Sequence, residues 1–428
     1  METYRILAQG QTVSNDTWAT GLNNNDLIIG PSGAGKTRGY VLPNILQASE
    51  SLIVTDTKGT LRQQAGAVLE RNGYTVREID LTDCLRSPCG YNPLRYVRYD
   101  EQRDRWNEQD IRTIAAAVVP VENHRDPFWE YAARMVLESL IGYVLECLPA
   151  NEHTLISAAK LLAEMGGLFE RLMLELAELD PDSFAVSRYK LYKSMSKAEK
   201  MYASVQGVLA EKLSGLTFDG VSALYNHPKQ LDFVDAGWEK TAVFLHISDT
   251  DRSMDCLAAL FYAQALQALC DFADLGPDNR LKVPVRLILD DFAAAADSCI
   301  PDFDKITSVI RSREISVSVI LQSLSQLEAS YGHARAMTII NNCDHLLYLG
   351  GQDVETARYI STKANKSINT VLNMPLDAAW LFTRGQEPKQ VQKYDLSQPP
   401  RYHGLSHERE IAVSGKEHEP DWLPRLGE

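Results

Sequence analysis

Residues 30–37 read GPSGAGKT, a run of glycines followed by an ammonium and a hydroxyl. Gly30, Gly33 and Gly35, with the small Ser32 and Ala34 between them, allow backbone N–H groups to turn inward around phosphate oxygens. The N-terminus of a following helix adds its partial positive charge. At this spacing Lys36 reaches the β- and γ-phosphates and Thr37 holds Mg²⁺ through its hydroxyl. A chance glycine-rich turn would not come with a full eight-residue match, an apolar strand before it and a helix after it. A triphosphate site also needs a second acid for the metal. Asp290 ends the apolar run VRLIL and fits that need, and Asp291 beside it is expected to face the attacking water. Aspartate is one methylene shorter than glutamate, so weaker water activation is expected from it than from a glutamate there. Gln322 ends the next apolar run, where a neutral amide can sense the γ-phosphate, orient water or simply cap the strand.

Positioning these groups requires strands that end beside the loop. Apolar runs occur at DLIIG (26–30), SLIVTD (51–56), TAVFLHIS (241–248), VRLILDD (285–291), SVSVILQ (316–322) and HLLYLG (345–350). They are continuously apolar, as in a parallel sheet covered on both faces. Several end in a polar residue, and in open α/β sheets ligands bind at the carboxyl ends of strands. Between about 100 and 232 no convincing strand is found. WNEQDIRTIAAAVV, DPFWEYAARMVLESLIGYVLECL, TLISAAKLLAEM, GLFERLMLELAEL and AEKMYASVQGVLAEKL all read as helices. In the second of these Glu130, Arg134, Glu138 and Glu146 fall at multiples of four and form one polar stripe. The fold class expected is therefore α/β, a P-loop domain with a mainly parallel sheet plus an inserted all-α domain. The boundaries expected are 1–97 and 233–397 for the α/β domain, 98–232 for the all-α domain and 398–428 for an irregular tail, in which DWLP is an isolated apolar spot.

The chain of 428 residues is long enough for more than one such unit. Its net charge of −14 excludes binding DNA by overall positive charge, and leaves a local patch or an assembled pore. The seven cysteines are scattered, without paired metal-ligand spacing, and read as reduced thiols. No apolar run of about 18 residues is free of charges, so no transmembrane segment is expected.

The stretches GPSGAGKTRGYVLPNIL, VTDTKGTL, GYNPL, DPFWEYAARMVLESL, LQSLSQLEASYG and NNCDHLLYLGGQDVETARYIS, spread from about 18 to about 395, resemble the soluble part of type IV secretion coupling proteins. These are the conjugative DNA-transfer ATPases. The resemblance implies a RecA-like nucleotide-binding domain carrying an all-α domain, with ATP and Mg²⁺ as cofactors. It implies a homo-hexameric ring at the cytoplasmic face of the inner membrane, beside the inner-membrane components of the secretion system. The ring would receive DNA, single-stranded and bound to a relaxase, or protein effectors. Lys36 and Thr37 match the family's Walker A pair, Asp290 its metal acid, Asp291 the usual glutamate position and Gln322 the sensor glutamine. Arg311, at the end of a helix expected from about 303, matches an arginine that reaches a neighbouring subunit's nucleotide, with Arg313 as a competitor. Asp56 and Lys58 match an Asp-x-Lys pair, although Asp56 also suits a strand cap. Coupling proteins normally begin with membrane helices, whereas this loop starts at residue 30. Two expectations stay open: a chain from which the anchor has been trimmed, or a membrane-free version recruited from the cytoplasm to the inner membrane by another subunit.

The stretch RYKLYKSMSKAEKMY (188–202) interleaves basic residues with tyrosines. It suits phosphate neutralisation and base stacking, but a solvated helix with tyrosines turned inward is the favoured reading. Two alternatives to a translocation motor stay open: a nucleotide-binding receptor that hydrolyses slowly, and a DNA-moving motor of the same superfamily outside secretion.

Overall fold

The computed structural model describes residues 3–121, 127–195, 199–276, 278–292 and 299–396. The expected tail at 398–428 lies outside them. Nine strands form the central sheet: β3 (Asp26–Ile29), β4 (Ser51–Asp56), β5 (Thr75–Asp80), β8 (Thr241–His246), β9 (Val285–Leu289), β10 (Ile315–Leu321), β11 (His345–Tyr348), β12 (Ala378–Thr383) and β13 (Lys389–Gln392). Two hairpins stand apart, β1 (Tyr4–Ala8) with β2 (Gln11–Ser14), and β6 (Tyr99–Asp100) with β7 (Arg105–Trp106). The sheet order is β13-β12-β11-β3-β10-β9-β4-β8-β5, parallel from β11 to β5 and antiparallel across β12 and β13.

The six apolar runs all became strands, because both faces of the parallel sheet are covered and alternate side chains enter two different cores. On β3, Leu27 and Ile29 join the larger core while Ile28 joins the smaller one. On β9, Leu287 and Leu289 face the first and Ile288 the second. The strands not foreseen lie mostly at the margins. β5 mixes charged and apolar residues at one edge, and β13 is largely exposed at the other.

Between Glu108 and Tyr225 the regular described elements are helices. The stretch 98–232 is not wholly helical, however, since β6 and β7 pair within it. The helix Phe128–Cys147 is its spine. Gly142 gives the helix Phe184–Met195 a close approach: a Cβ there would meet that of Ala185 at 3.1 Å. The expected polar stripe is turned largely toward neighbours rather than solvent. Glu138 pairs with Arg188 at 3.2 Å, Ser183 donates to Glu146, and Arg134 donates to the Val119 carbonyl. Both ends of the stretch are tied together. Gly90 N–H donates to the Lys229 carbonyl and Leu231 N–H donates to the Gly90 carbonyl. Any Cβ at Gly90 would collide with Gln230 and with the Leu224 carbonyl.

Among the described residues one helix, Asp255–Leu275, is long and apolar enough to cross a membrane, and most of it is buried within the protein. The described cysteines are free thiols.

Candidate nucleotide-binding and catalytic site

The loop at 30–37 leaves the carboxyl end of β3 in the middle of the sheet. Gly30 N–H donates to the Leu321 carbonyl, so the chain is still held by β10 as it turns. Gly30 has no room for a side chain: a Cβ would lie 2.9 Å from that of Ala34 and 3.0 Å from that of Leu349. Gly33 (φ +78) and Gly35 (φ +92) are in the left-handed region that favours glycine. Among the described residues, the N–H groups of Gly33, Gly35 and Lys36 meet no protein acceptor. Donors left open in a tight turn of this shape form an anion cradle. Ser32 and Thr37 are exposed at the mouth, and Thr37 opens a π-turn, Thr37–Val41, that leads into the helix Leu42–Leu46.

Lys36 is nine-tenths buried. It donates to the Gly30 carbonyl at 2.8 Å and lies 3.8 Å from the Asp291 carboxylate. Asp290 and Asp291 follow β9 directly. Burial pushes the Asp290 carboxyl up to about 6, and the Asp291 charge adds to this while Lys36 offsets it. Asp291 N–H donates to the Asp290 carboxylate at 3.0 Å, and the backbone at Asp291 is left-handed (φ +52). Aspartate tolerates that region better than glutamate does, which gives a local reason for the shorter acid. Gln322, just past β10, donates from Nε2 to Asp291 at 3.3 Å. A cavity of ≈ 40 Å³ beside both acids, walled by Thr55 and Tyr262, is large enough for a water.

Lys36, Asp290, Asp291 and Gln322 thus meet at one point. Arg311 does not join them. The helix expected from 303 is broken into a short turn, Phe303–Ile306, and a 3₁₀ turn, Ile310–Arg313, before the amino end of β10. A seven-residue strand at roughly 3.3 Å per residue puts Arg311 about 20 Å from its own loop. There it donates to the Thr17 carbonyl at 2.9 Å. Arg313 is engaged by Asp274 through two bonds of 2.8 Å. Asp56 is a cap: its carboxylate accepts from the N–H groups of Thr60 and Arg62 and starts the next helix. Lys58 is exposed.

In the basic stretch, Tyr189 and Tyr192 are buried, Arg188 pairs with Glu138, and Lys193 pairs with Glu170 at 2.7 Å. Lys190 is exposed. Lys197, Lys200 and Tyr202 fall outside the described side chains. One group at the loop had no sequence signal at all: Lys393, beyond the last strand, donates to the Ala34 carbonyl at 3.0 Å.

The profile of the type IV secretory system conjugative DNA transfer family matches residues 2–368. The chain belongs to that family. It is 23% identical over 338 residues to protein VirD4 of Rhizobium radiobacter, covering 79% of this chain and 47% of VirD4. It therefore spans about half the length of that curated relative. Among solved structures it resembles the plasmid coupling protein TrwB in complex with the non-hydrolysable ATP analogue ADPNP. That likeness has a TM-score of 0.67 and 16% identity, over 93% of this chain and 92% of that one. It also resembles TrwB in complex with ADP and Mg²⁺, with a TM-score of 0.63 and 16% identity, over 87% and 85% of the two chains. At these identities the family's solved members share the fold: a mostly parallel α/β P-loop domain with a helical part.

Proposed function

We propose that this chain is an ATP-driven coupling subunit that delivers a DNA–relaxase complex or protein effectors to a type IV secretion channel. The observation that carries this is the meeting of Lys36, Asp290, Asp291 and Gln322 around an open N–H cradle, in a chain of the conjugative DNA transfer family. Nucleotide and Mg²⁺ in the TrwB complexes support ATP and Mg²⁺ as cofactors here. Gly30, Ser32, Gly33, Ala34 and Gly35 form the cradle, with Lys36 on the phosphates, and Thr37 and Asp290 would hold Mg²⁺. The metal supplies charge neutralisation on the phosphate oxygens. Asp291 accepts a proton from the attacking water, and Gln322 holds that carboxylate in line.

Arg311 completes the site from a neighbouring copy, which makes a homo-hexameric ring the working form. The domains are 1–97 with 233–397, the insertion 98–232 and the tail 398–428; the tie between Gly90 and Leu231 supports the insertion. Work takes place at the cytoplasmic face of the inner membrane. A second reading, a receptor that binds nucleotide but turns over slowly, is favoured by the short acid at 291.

The test is ATPase rate against protein concentration, with and without single-stranded DNA, for wild type and Lys36→Ala. Activity that rises with concentration and DNA and vanishes in Lys36→Ala is expected. A wild-type rate in Lys36→Ala removes the site assignment, and a flat, near-zero wild-type rate with intact nucleotide binding selects the receptor.

A further inference from the structure

The Lys393 contact brings the far end of the chain onto the phosphate loop. The Ala34 carbonyl that it holds lies between the two left-handed glycines, Gly33 and Gly35. In a trans peptide the C=O of one residue and the N–H of the next point in opposite directions. Fixing the Ala34 carbonyl therefore fixes the Gly35 N–H on the other side of the same plane, and that N–H meets no acceptor among the described residues.

Lys393 is itself held firmly. Its N–H donates to the Asp377 carbonyl, the preceding Gln392 carbonyl accepts from Gln9 N–H, and Asp395 N–H donates to the Gln9 side chain. Next to it, the Tyr394 carbonyl packs over the loop's helix at ordinary contact distance, 3.6 Å from where a Cβ on Gly39 would stand. The ammonium is half-buried, and burial lowers its pKa, with Asp377 offsetting. It contacts the loop through a main-chain carbonyl and has no ion pair among the described residues.

We propose that Lys393 is a positioning residue of the nucleotide site, which orients the Ala34–Gly35 peptide so that the Gly35 N–H faces the phosphates. This deepens the nucleotide-site reading and rests on it. Lys36 acts on the phosphate charge, whereas Lys393 acts on the loop's shape. Loss of Lys393 should then weaken di- and triphosphates alike.

The experiment uses the full chain with fluorescent N-methylanthraniloyl ADP and ATP in Mg²⁺. Lys393→Met keeps the unbranched stem and removes the donor, and should raise Kd for both nucleotides by a similar factor of about ten, the scale of one charge-assisted hydrogen bond. The rate at saturating ATP should stay within about twofold. Lys393→Arg should restore most of the affinity. Without nucleotide, amide exchange in the peptide spanning 30–37 should be faster in Lys393→Met at an unchanged Tm. Unchanged affinity and exchange in Lys393→Met overturn the proposal while leaving the site intact. A loss much larger for ATP than for ADP also overturns it, because the ammonium would then act on phosphate charge directly. If wild type binds neither nucleotide, the nucleotide-site reading fails and this proposal with it.

Discussion

Asp291 shows how backbone and chemistry constrain one another at a single residue. Its carboxylate lies between Lys36 and Gln322, and its left-handed φ favours a short side chain that can bond locally. Asn accepts the same backbone, so Asp291→Asn isolates the proton-accepting role. It should bind nucleotide as wild type does, and hydrolyse it on the order of a hundredfold more slowly, measured as kcat beside a titration of fluorescent ADP. Asp291→Glu restores reach but meets the steric cost of φ +52, so a gain in turnover is not expected without some loss of Tm. Equal rates for all three forms would remove Asp291 from the chemistry.

At the scale of elements, the helix Phe184–Met195 had two sequence readings, a DNA face or a packed helix. Its inner residues decide in favour of packing for the part described. Glu138 is buried, burial raises its pKa, and Arg188 is the first of the cations that offset this. Arg188→Ala would leave that buried carboxylate only the more distant Arg112, at 3.9 Å, and Arg134, and should cost on the order of 2 kcal/mol, read from urea midpoints. Its DNA affinity and the salt dependence of that affinity should match wild type. A shallower salt slope in Arg188→Ala at unchanged stability would return this residue to a phosphate-contacting role.

At the scale of the molecule, the sheet's two ends do different work. The carboxyl ends carry the nucleotide groups. The amino ends carry a buried charge cluster in which Asp26 meets Arg5 at 2.8 Å and Arg286 at 3.5 Å, with Tyr40 and His345 beside it. Burial alone would raise the Asp26 pKa, but Arg5, His345 and Arg286 outweigh it and hold the carboxyl well below the usual range. A depressed folded pKa stabilises fully above the unfolded value of about 4 and is lost as pH falls through the folded value. Asp26→Asn should therefore be destabilised at pH 7, and the gap from wild type should narrow as urea melts are taken below about pH 4. A constant gap would show that the charge is not the source. The same separation of ends keeps Arg311 from its own loop. Mixing Lys36→Ala, which can lend its arginine, with Arg311→Ala, which keeps its loop, should recover ATPase activity that neither variant has alone. A mixture that stays inactive while both variants co-assemble rules out action in trans.

The sequence by itself determined the local things. The phosphate loop was legible because its chemistry lies in eight consecutive residues. The six core strands were legible because burial on both faces leaves no polar alternation, and Asp290, Asp291 and Gln322 because each directly follows such a run. The edge strands β5 and β13 were not, since one covered face or none leaves a mixed pattern. The helix expected near 303 was not borne out as one element, because its residues break into two short turns there. Tertiary structure alone decided which charges meet. Arg313 went to Asp274, and Lys393 reached Ala34 across 359 positions of chain. Hydrogen bonds between residues so far apart depend on how the sheet edge folds back over the loop, and no periodicity or spacing in the chain encodes that return.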